Sequence, residues 1–272
     1  MSPSQSLILR VPEEAFCPEL DFVINYIFSY RLGVLCCIEK GWNKEQYQLF
    51  REEKEILTIP LSGFFQQEFT GEWPNAPRID GKNGDTILFP TDDNGMFRFD
   101  VIAAIFYLIA RVEELNPELK KDEHGRFQSR DAILFDSGGY KYPLVDNWIQ
   151  RIKRVLIQSG VKGIKEEKFA WWNTIDIDQI YAAKSKPLVR RLAKISQLLA
   201  KGRLRQSFIF LATLLGRKDP FDILDKMLLS KSENLIFALV GGESKFDFPK
   251  ARNESELSPF FTKWKDHYKI CW

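Results

Sequence analysis

The sequence lacks a long hydrophobic run. Its longest uninterrupted apolar stretch, residues 101–110, is ten residues long, whereas a membrane-spanning helix needs about 20. The N-terminal segment has no basic region ahead of its apolar residues, and Arg10 and Pro12 interrupt those residues, so it does not fit a secretory signal. We therefore expect a cytoplasmic protein in which residues 101–110 form a buried helix.

Cysteine and histidine are scarce, with four Cys and two His among 272 residues. The cysteines have neither the density of a disulfide framework nor a CxxC metal spacing, so we expect reduced, structural thiols. His124 and His267 form no pair at the spacing of two ligands on one helix or strand. Neither histidine is a candidate metal ligand on this evidence.

The remaining composition, 44% hydrophobic and 28% charged with a net charge of +2, is typical of a globular protein. The length allows two domains. Residues 160–168 are polar and contain glycine, which predicts a boundary between a domain over residues 1–165 and one over residues 166–272. The first part carries 20 Lys and Arg against 24 Asp and Glu, and the second carries 19 against 13.

The first domain has the pattern of an α+β fold. Apolar spacing predicts helices over residues 19–32, 99–115 and 143–158, and Asp100 is placed to cap the start of the second or to stabilise its dipole. Short extended segments near residues 56–60 and 86–89 lie between Gly-, Asn- and Asp-rich loops. The polar residues Arg111, Glu113 and Glu114 close the second helix and predict an ion-pair network.

The second domain has the pattern of a parallel α/β fold. An aromatic and β-branched run over residues 169–178 predicts a buried strand, and residues 235–240 predict a second one. A basic helical stretch lies between them, and a further helix is predicted over residues 254–268. Trp171, Trp172, Phe208 and Phe210 are candidates for stacking on a sugar, but at strand and helix spacing we expect them to be core residues.

Asp176 and Asp178 form the most informative pair. Residues i and i+2 of a strand point to the same face, so both carboxylates can meet at the carboxyl end of the predicted strand. In parallel α/β folds that end carries the active site. The pair is suited to holding a divalent cation or to dividing metal binding and proton transfer. The other interpretation is a solvated strand end.

Several motifs in order resemble one family: TIDID, LLGRKDPFD and LIFALVGGESKFD, preceded by FDVIAAIFYLIARVEEL, DEHGRF and PLVDNW. Together they resemble bacterial polysaccharide deacetylases of the chitooligosaccharide-deacetylase type that carry a poorly characterised N-terminal domain. The resemblance covers most of the chain from about residue 99 onward.

The resemblance implies a distorted (β/α) barrel that removes acetyl groups from a carbohydrate with a zinc-like divalent metal. Asp176 would be the general base and Asp178 the metal ligand. Ile177 separates the two aspartates, which are adjacent in the commoner family pattern, so the division of roles between them stays open.

The family completes its metal site with histidines from a later motif. Residues 268–272 have the pattern of a third strand, and the resemblance places the histidine motif just after it. We therefore expect a truncated barrel that binds metal weakly and hydrolyses little.

Basic residues dominate the predicted helical stretch, with ten Lys and Arg and no acidic residue between Asp178 and Asp219. One interpretation is a helix that packs its apolar stripe on the barrel and leaves its basic face in water. The alternative is a non-catalytic binding protein that meets an anionic membrane or glycan surface through Arg190, Arg191 and Lys194. We expect no nucleic-acid binding, because no aromatic side chains alternate with the basic ones. The sequence does not predict an oligomeric state.

Overall fold

The computed structural model describes residues 7–42, 45–67, 77–177, 187–219, 233–238, 262 and 269–271. The chain divides into two compact units, Met1–Glu167 and Lys168–Trp272, where the sequence predicted a boundary after residue 165. Both units mix helices and strands, so the protein is of the mixed α/β class. Asp178, His267 and nearly all of the predicted helix over residues 254–268 lie outside the described residues.

A four-stranded sheet organises the first unit. Its strands are β1 (Leu7–Arg10), β2 (Cys36–Glu39), β3 (Gln46–Arg51) and β4 (Lys54–Pro60), in the order β2-β1-β3-β4. β1 pairs parallel with β2 and antiparallel with β3, and β3 pairs antiparallel with β4. Leu7 and Leu9 of β1 are buried, whereas Ile8 and Arg10 lie on the opposite, more open face.

The buried side chains of three helices form one core with those of this sheet: α1 (Pro18–Ile24), α2 (Val101–Ile109) and α3 (Leu144–Gln158). The helix predicted over residues 19–32 is α1 followed by a π-helical segment, Asn25–Arg31. The helix predicted over residues 99–115 is shorter, because Arg111 adopts a left-handed φ of 53° before a 3-10 turn, Val112–Leu115.

α2 lies at the centre of the first unit's core. Its residues from Val101 to Ile105 have no exposed surface, which confirms that the longest apolar run is a buried helix. Aromatic rings surround it: Phe64 lies 5.0 Å from Phe89 and 6.1 Å from Tyr107, measured between ring centroids. A short ladder of β5 (Ile79–Asp80) and β6 (Ile87–Leu88) flanks this aromatic cluster.

The second unit contains a three-stranded parallel sheet. Its strands are β7 (Trp172–Ile177), β8 (Glu233–Ala238) and β9 (Lys269–Cys271), which are neighbours in chain order. Two helices, α4 (Leu188–Ala200) and α5 (Leu204–Leu214), lie between β7 and β8 in the sequence. Both predicted strands and their parallel pairing are therefore confirmed.

Within the described ranges, no helix is both long enough and apolar enough to cross a membrane.

Candidate functional site

Asp176 lies one residue before the end of β7. The side chains of β7 alternate, so that Ile175 is buried while Thr174 and Asp176 are exposed on the other face. This placement is the one that the sequence predicted for the first carboxylate of its candidate site. Asp178, the second predicted carboxylate, lies outside the described residues.

The neighbours of Asp176 are set by the parallel register. Asp176 pairs with Phe237 of β8, and Ile177 pairs with Ala238, so the carboxyl ends of β7 and β8 lie side by side. Phe237 is 37% exposed and Trp172, four residues before Asp176 on the same face of β7, is 44% exposed. The carboxylate therefore shares one open face of the sheet with two aromatic rings.

The exposure of these rings corrects a prediction. Trp171 and Trp172 were expected in the core, but both are exposed, as is Phe208 of α5. The aromatic run predicted a strand covered on both faces, whereas the side chain of Ile175 is buried and those of its neighbours on the other face are not. Phe210 is partly buried.

The residues that the structure describes do not by themselves make a metal site. They contain no group of three His, Cys, Asp or Glu side chains close enough to share a metal ion. His124 is in the first unit, where its Nε2 lies 3.5 Å from Glu123 and its backbone N–H donates to Asp122. A metal ion at the β7 edge would need ligands beyond Asp176, and Asp178, the second carboxylate that the sequence predicted, lies outside the described residues.

The predicted anionic-surface residues lie on α4. Arg190 and Lys194 are exposed and Arg191 is partly buried. The same helix exposes apolar side chains, including Leu188 and Leu192. The interpretation that this helix packs its apolar stripe away from water is therefore wrong for most of the stripe.

The open face of the four-stranded sheet holds a polar cluster that the sequence analysis missed. The Nε of Arg10 donates to Glu39 at 2.6 Å, and its guanidinium lies 4.3 Å from the ring centroid of Phe50 and 5.1 Å from that of Trp42. A shallow cleft of about 620 Å³ follows this face. The only available signal was the alternation of LILR, which places Arg10 opposite the core.

Asp100 is a completely buried carboxylate in the first unit. It caps α2 by accepting a hydrogen bond from the backbone N–H of Ala103 at 2.9 Å, as the sequence predicted. It also accepts from the backbone N–H and the hydroxyl of Ser62, at 2.9 and 2.8 Å. Burial raises the pKa of Asp100 to about 6 although these bonds oppose the rise. Its contacts join two segments, which is a structural role.

Comparison with protein families bears on the first unit. A family model described as "Family of unknown function (DUF7033)" matches residues 7–160. No curated protein matches the chain. The matched residues lie within the first unit, so the match does not bear on Asp176 or on α4 and α5.

Proposed function

Because the chain belongs to this family of unknown function through its first unit, we propose a function from its second unit: a metal-dependent deacetylase that removes acetyl groups from a carbohydrate. The observation that carries the proposal is the position of Asp176, exposed at the carboxyl edge of the parallel sheet β7-β8-β9.

The sheet order supports the proposal. Strands that are parallel and adjacent in chain order, with helices between them, are typical of (β/α) barrels, and these barrels carry their active sites at the carboxyl ends of the strands. A distorted barrel of the deacetylase type is the architecture that we propose for this unit. Its motifs, TIDID above all, resemble those of polysaccharide deacetylases.

In the proposed reaction, a water molecule attacks the acetyl carbonyl and gives its proton to Asp176. Asp176 then passes this proton to the leaving nitrogen or oxygen as the acyl C–N or C–O bond breaks, which releases acetate and a free amine or hydroxyl group. A bound divalent cation would polarise the carbonyl and acidify the attacking water. Asp178 is the proposed ligand of that cation.

The aromatic side chains support a carbohydrate as the substrate. Trp172 and Phe237 present exposed rings on the face that carries Asp176. The flat C–H faces of a pyranose pack well on such rings, because this contact removes apolar surface from water on both partners. The rings would hold the sugar while its acetyl group meets the carboxylate.

The proposal predicts that acetate release depends on Asp176. The protein is incubated for long times with an acetylated chito-oligosaccharide and excess Zn²⁺, because the sequence predicts weak metal binding and slow hydrolysis, and acetate is measured with and without a chelator. Replacing the base by Asp176→Asn should lower the rate at least about 100-fold, and the chelator should abolish it.

Asp136→Asn, which changes an exposed aspartate of the first unit, is the matched control and should leave the rate unchanged. Equilibrium dialysis with Zn²⁺ tests the second carboxylate, since Asp178→Asn should weaken binding. A folded wild-type protein that releases no acetate with any of several divalent metals would contradict the proposal.

A further inference from the structure

α4 and α5 form a helical hairpin. Residues 201–203 join the helices, and Gly202 adopts a left-handed φ of 68° that a side chain would strain. The backbone N–H groups of Gly202 and Arg203 donate to the carbonyls of Leu199 and Leu198, both at 2.9 Å, which closes the end of α4. Two contacting helices with so short a link run antiparallel.

Few side chains of the hairpin are buried. Leu198 of α4 and Ser207 of α5, which lie at similar distances in sequence from the link between the two contacting helices, are each less than 5% exposed, as is Thr213 further along α5. The hydroxyl of Ser207 donates to the carbonyl of Leu204 at 2.7 Å, so it is buried with its hydrogen bond already made. Little of the apolar surface of the two helices is used in holding the hairpin together.

Each helix exposes an apolar stripe. The exposed fractions of these side chains run from 40% at Leu211 to 81% at Leu215. The stripes together, here called the apolar strip, consist of Leu188, Leu192 and Leu199 on α4 and Leu204, Phe208, Leu211 and Leu215 on or directly after α5.

The two stripes lie on the same side of the hairpin. Leu199 directly follows the buried Leu198, and Phe208 directly follows the buried Ser207. Successive residues of an α-helix are rotated by about 100° about its axis, so on each helix the apolar stripe lies about 100° from the buried side chain, in the same rotational sense. Because the helices run in opposite directions, this common sense of rotation turns both stripes to one side. The strip is therefore one continuous apolar surface.

Charge around the strip has a single sign. Residues 187–218 contain eight basic residues and no acidic one. On α4, Arg190 and Lys194 lie on the side away from the strip, and on α5, Arg205 lies about 90° from it, where a long side chain reaches past the apolar surface. A partner for this surface must accept apolar side chains and carry negative charge.

We propose that the α4-α5 hairpin docks on the surface of an anionic lipid bilayer. The apolar strip would enter the boundary between headgroups and acyl chains, while the basic residues attract anionic headgroups. The helices have 13 and 11 residues, so they would lie in the plane of the membrane rather than span it. This inference does not depend on the deacetylase proposal and uses none of its residues.

The test is co-sedimentation of the full-length protein with vesicles. One set contains phosphatidylcholine alone, and the other is an equimolar mixture with phosphatidylglycerol. We expect binding to the mixed vesicles that weakens as salt is added. The double change Phe208→Ser and Leu215→Ser should lower the affinity at least about tenfold, because each variant residue gives up buried apolar surface.

A second variant tests the charge. Arg205→Glu, which reverses the charge beside the strip, should lower the preference for anionic vesicles about tenfold, whereas Arg190→Glu with Lys194→Glu, on the side away from the strip, should have a smaller effect. Lys120→Glu with Lys121→Glu makes the same change on exposed residues of the first unit and should have little effect. Leu115→Ser, an exposed leucine of the first unit, is the control for the apolar variant.

Three outcomes would overturn the inference. The first is a wild-type protein that binds neither set of vesicles, and the second is an apolar-strip variant that binds as the wild type does. The third is self-association or RNA binding that depends on the strip in the absence of any binding to vesicles, measured by sedimentation velocity and by filter retention. Asp176→Asn should bind vesicles normally, which separates this test from that of the proposed enzyme.

Discussion

At the scale of single residues, Asp100 shows how one carboxylate joins distant segments. It accepts hydrogen bonds from Ser62, which follows β4, and from Ala103 in the first turn of α2. A side chain with no exposed surface and a negative charge is costly to bury, and the three donors offset only part of that cost. The part of the cost that the hydrogen bonds do not offset raises the pKa of Asp100 to about 6.

This pKa predicts a pH dependence of stability. The folded-state pKa of Asp100 is about 6, above the value of 3.8 expected when the chain is unfolded, so the folded state binds the proton more tightly. The contribution of this group is therefore greatest below the unfolded pKa and is lost as pH rises through about 6. Raising the pH from about 5 to 7 should therefore lower the free energy of unfolding by about 1 kcal/mol through this group.

Urea unfolding of the wild type and of Asp100→Asn at both pH values checks this prediction. The variant cannot titrate, so the wild type should lose about 1 kcal/mol relative to it on going from about pH 5 to pH 7. Asp136→Asn should follow the wild type at both values, since its side chain is exposed. Parallel pH profiles for the wild type and Asp100→Asn would show that Asp100 does not titrate in this range.

At the scale of elements, the turn between β3 and β4 stores backbone strain. Glu52 adopts a left-handed φ of 55° in this two-residue turn. A side chain in that conformation costs about 1 kcal/mol, and asparagine tolerates it better than glutamate. The ion pair of Glu52 with Arg51, at 3.8 Å on an exposed side chain, offsets little of this cost.

Replacing Glu52 should therefore stabilise the hairpin. We expect Glu52→Asn to raise the free energy of unfolding by roughly 0.5–1 kcal/mol, measured by urea denaturation of the full chain. Glu53→Asn is the matched control, because Glu53 occupies the same turn without a positive φ, and it should change stability less. Equal effects of the two changes would show that the removal of negative charge, rather than relief of strain, is responsible.

Elements with a clear apolar period could be predicted from the sequence. The period of α3 and the β-branched run of β7 are local signals, and both elements lie where they were predicted. β1, β2 and β3 were missed, because they are short and their alternation is weak; Gln48, for example, is buried in β3. Nothing in the sequence predicts the left-handed conformation of Arg111, which ends the helical region that begins with α2, because arginine does not favour that conformation.

The candidate sites divide in the same way. The exposed position of Asp176 follows from alternation along a strand, which is a local property. The exposure of the apolar strip could not be predicted in this way. A periodic pattern shows that a helix has an apolar stripe, but it does not show whether another element covers that stripe. The pairing of Asp176 with Phe237 joins residues 61 positions apart and depends on strand register.

At the scale of the whole molecule, the described core is concentrated in the first unit. Of the buried apolar side chains in the ranges that the structure describes, all except Ile175 and Leu198 lie between residues 7 and 161. A core of this kind is closed within residues 1–167, the span of the first unit. Its stability should therefore depend on its own packing around α2.

Residues 1–167 should consequently fold as a separate fragment with a cooperative unfolding transition. Ile105→Ala removes a fully buried side chain from α2 and should lower the free energy of unfolding of that fragment by about 2–5 kcal/mol, measured by urea denaturation followed by near-UV circular dichroism. Leu115→Ala, at an exposed position of the same unit, is the control and should change it by less than about 0.5 kcal/mol. A fragment without a cooperative transition would mean that the first unit needs the rest of the chain to fold, because its core is not sufficient to offset the conformational entropy lost on folding.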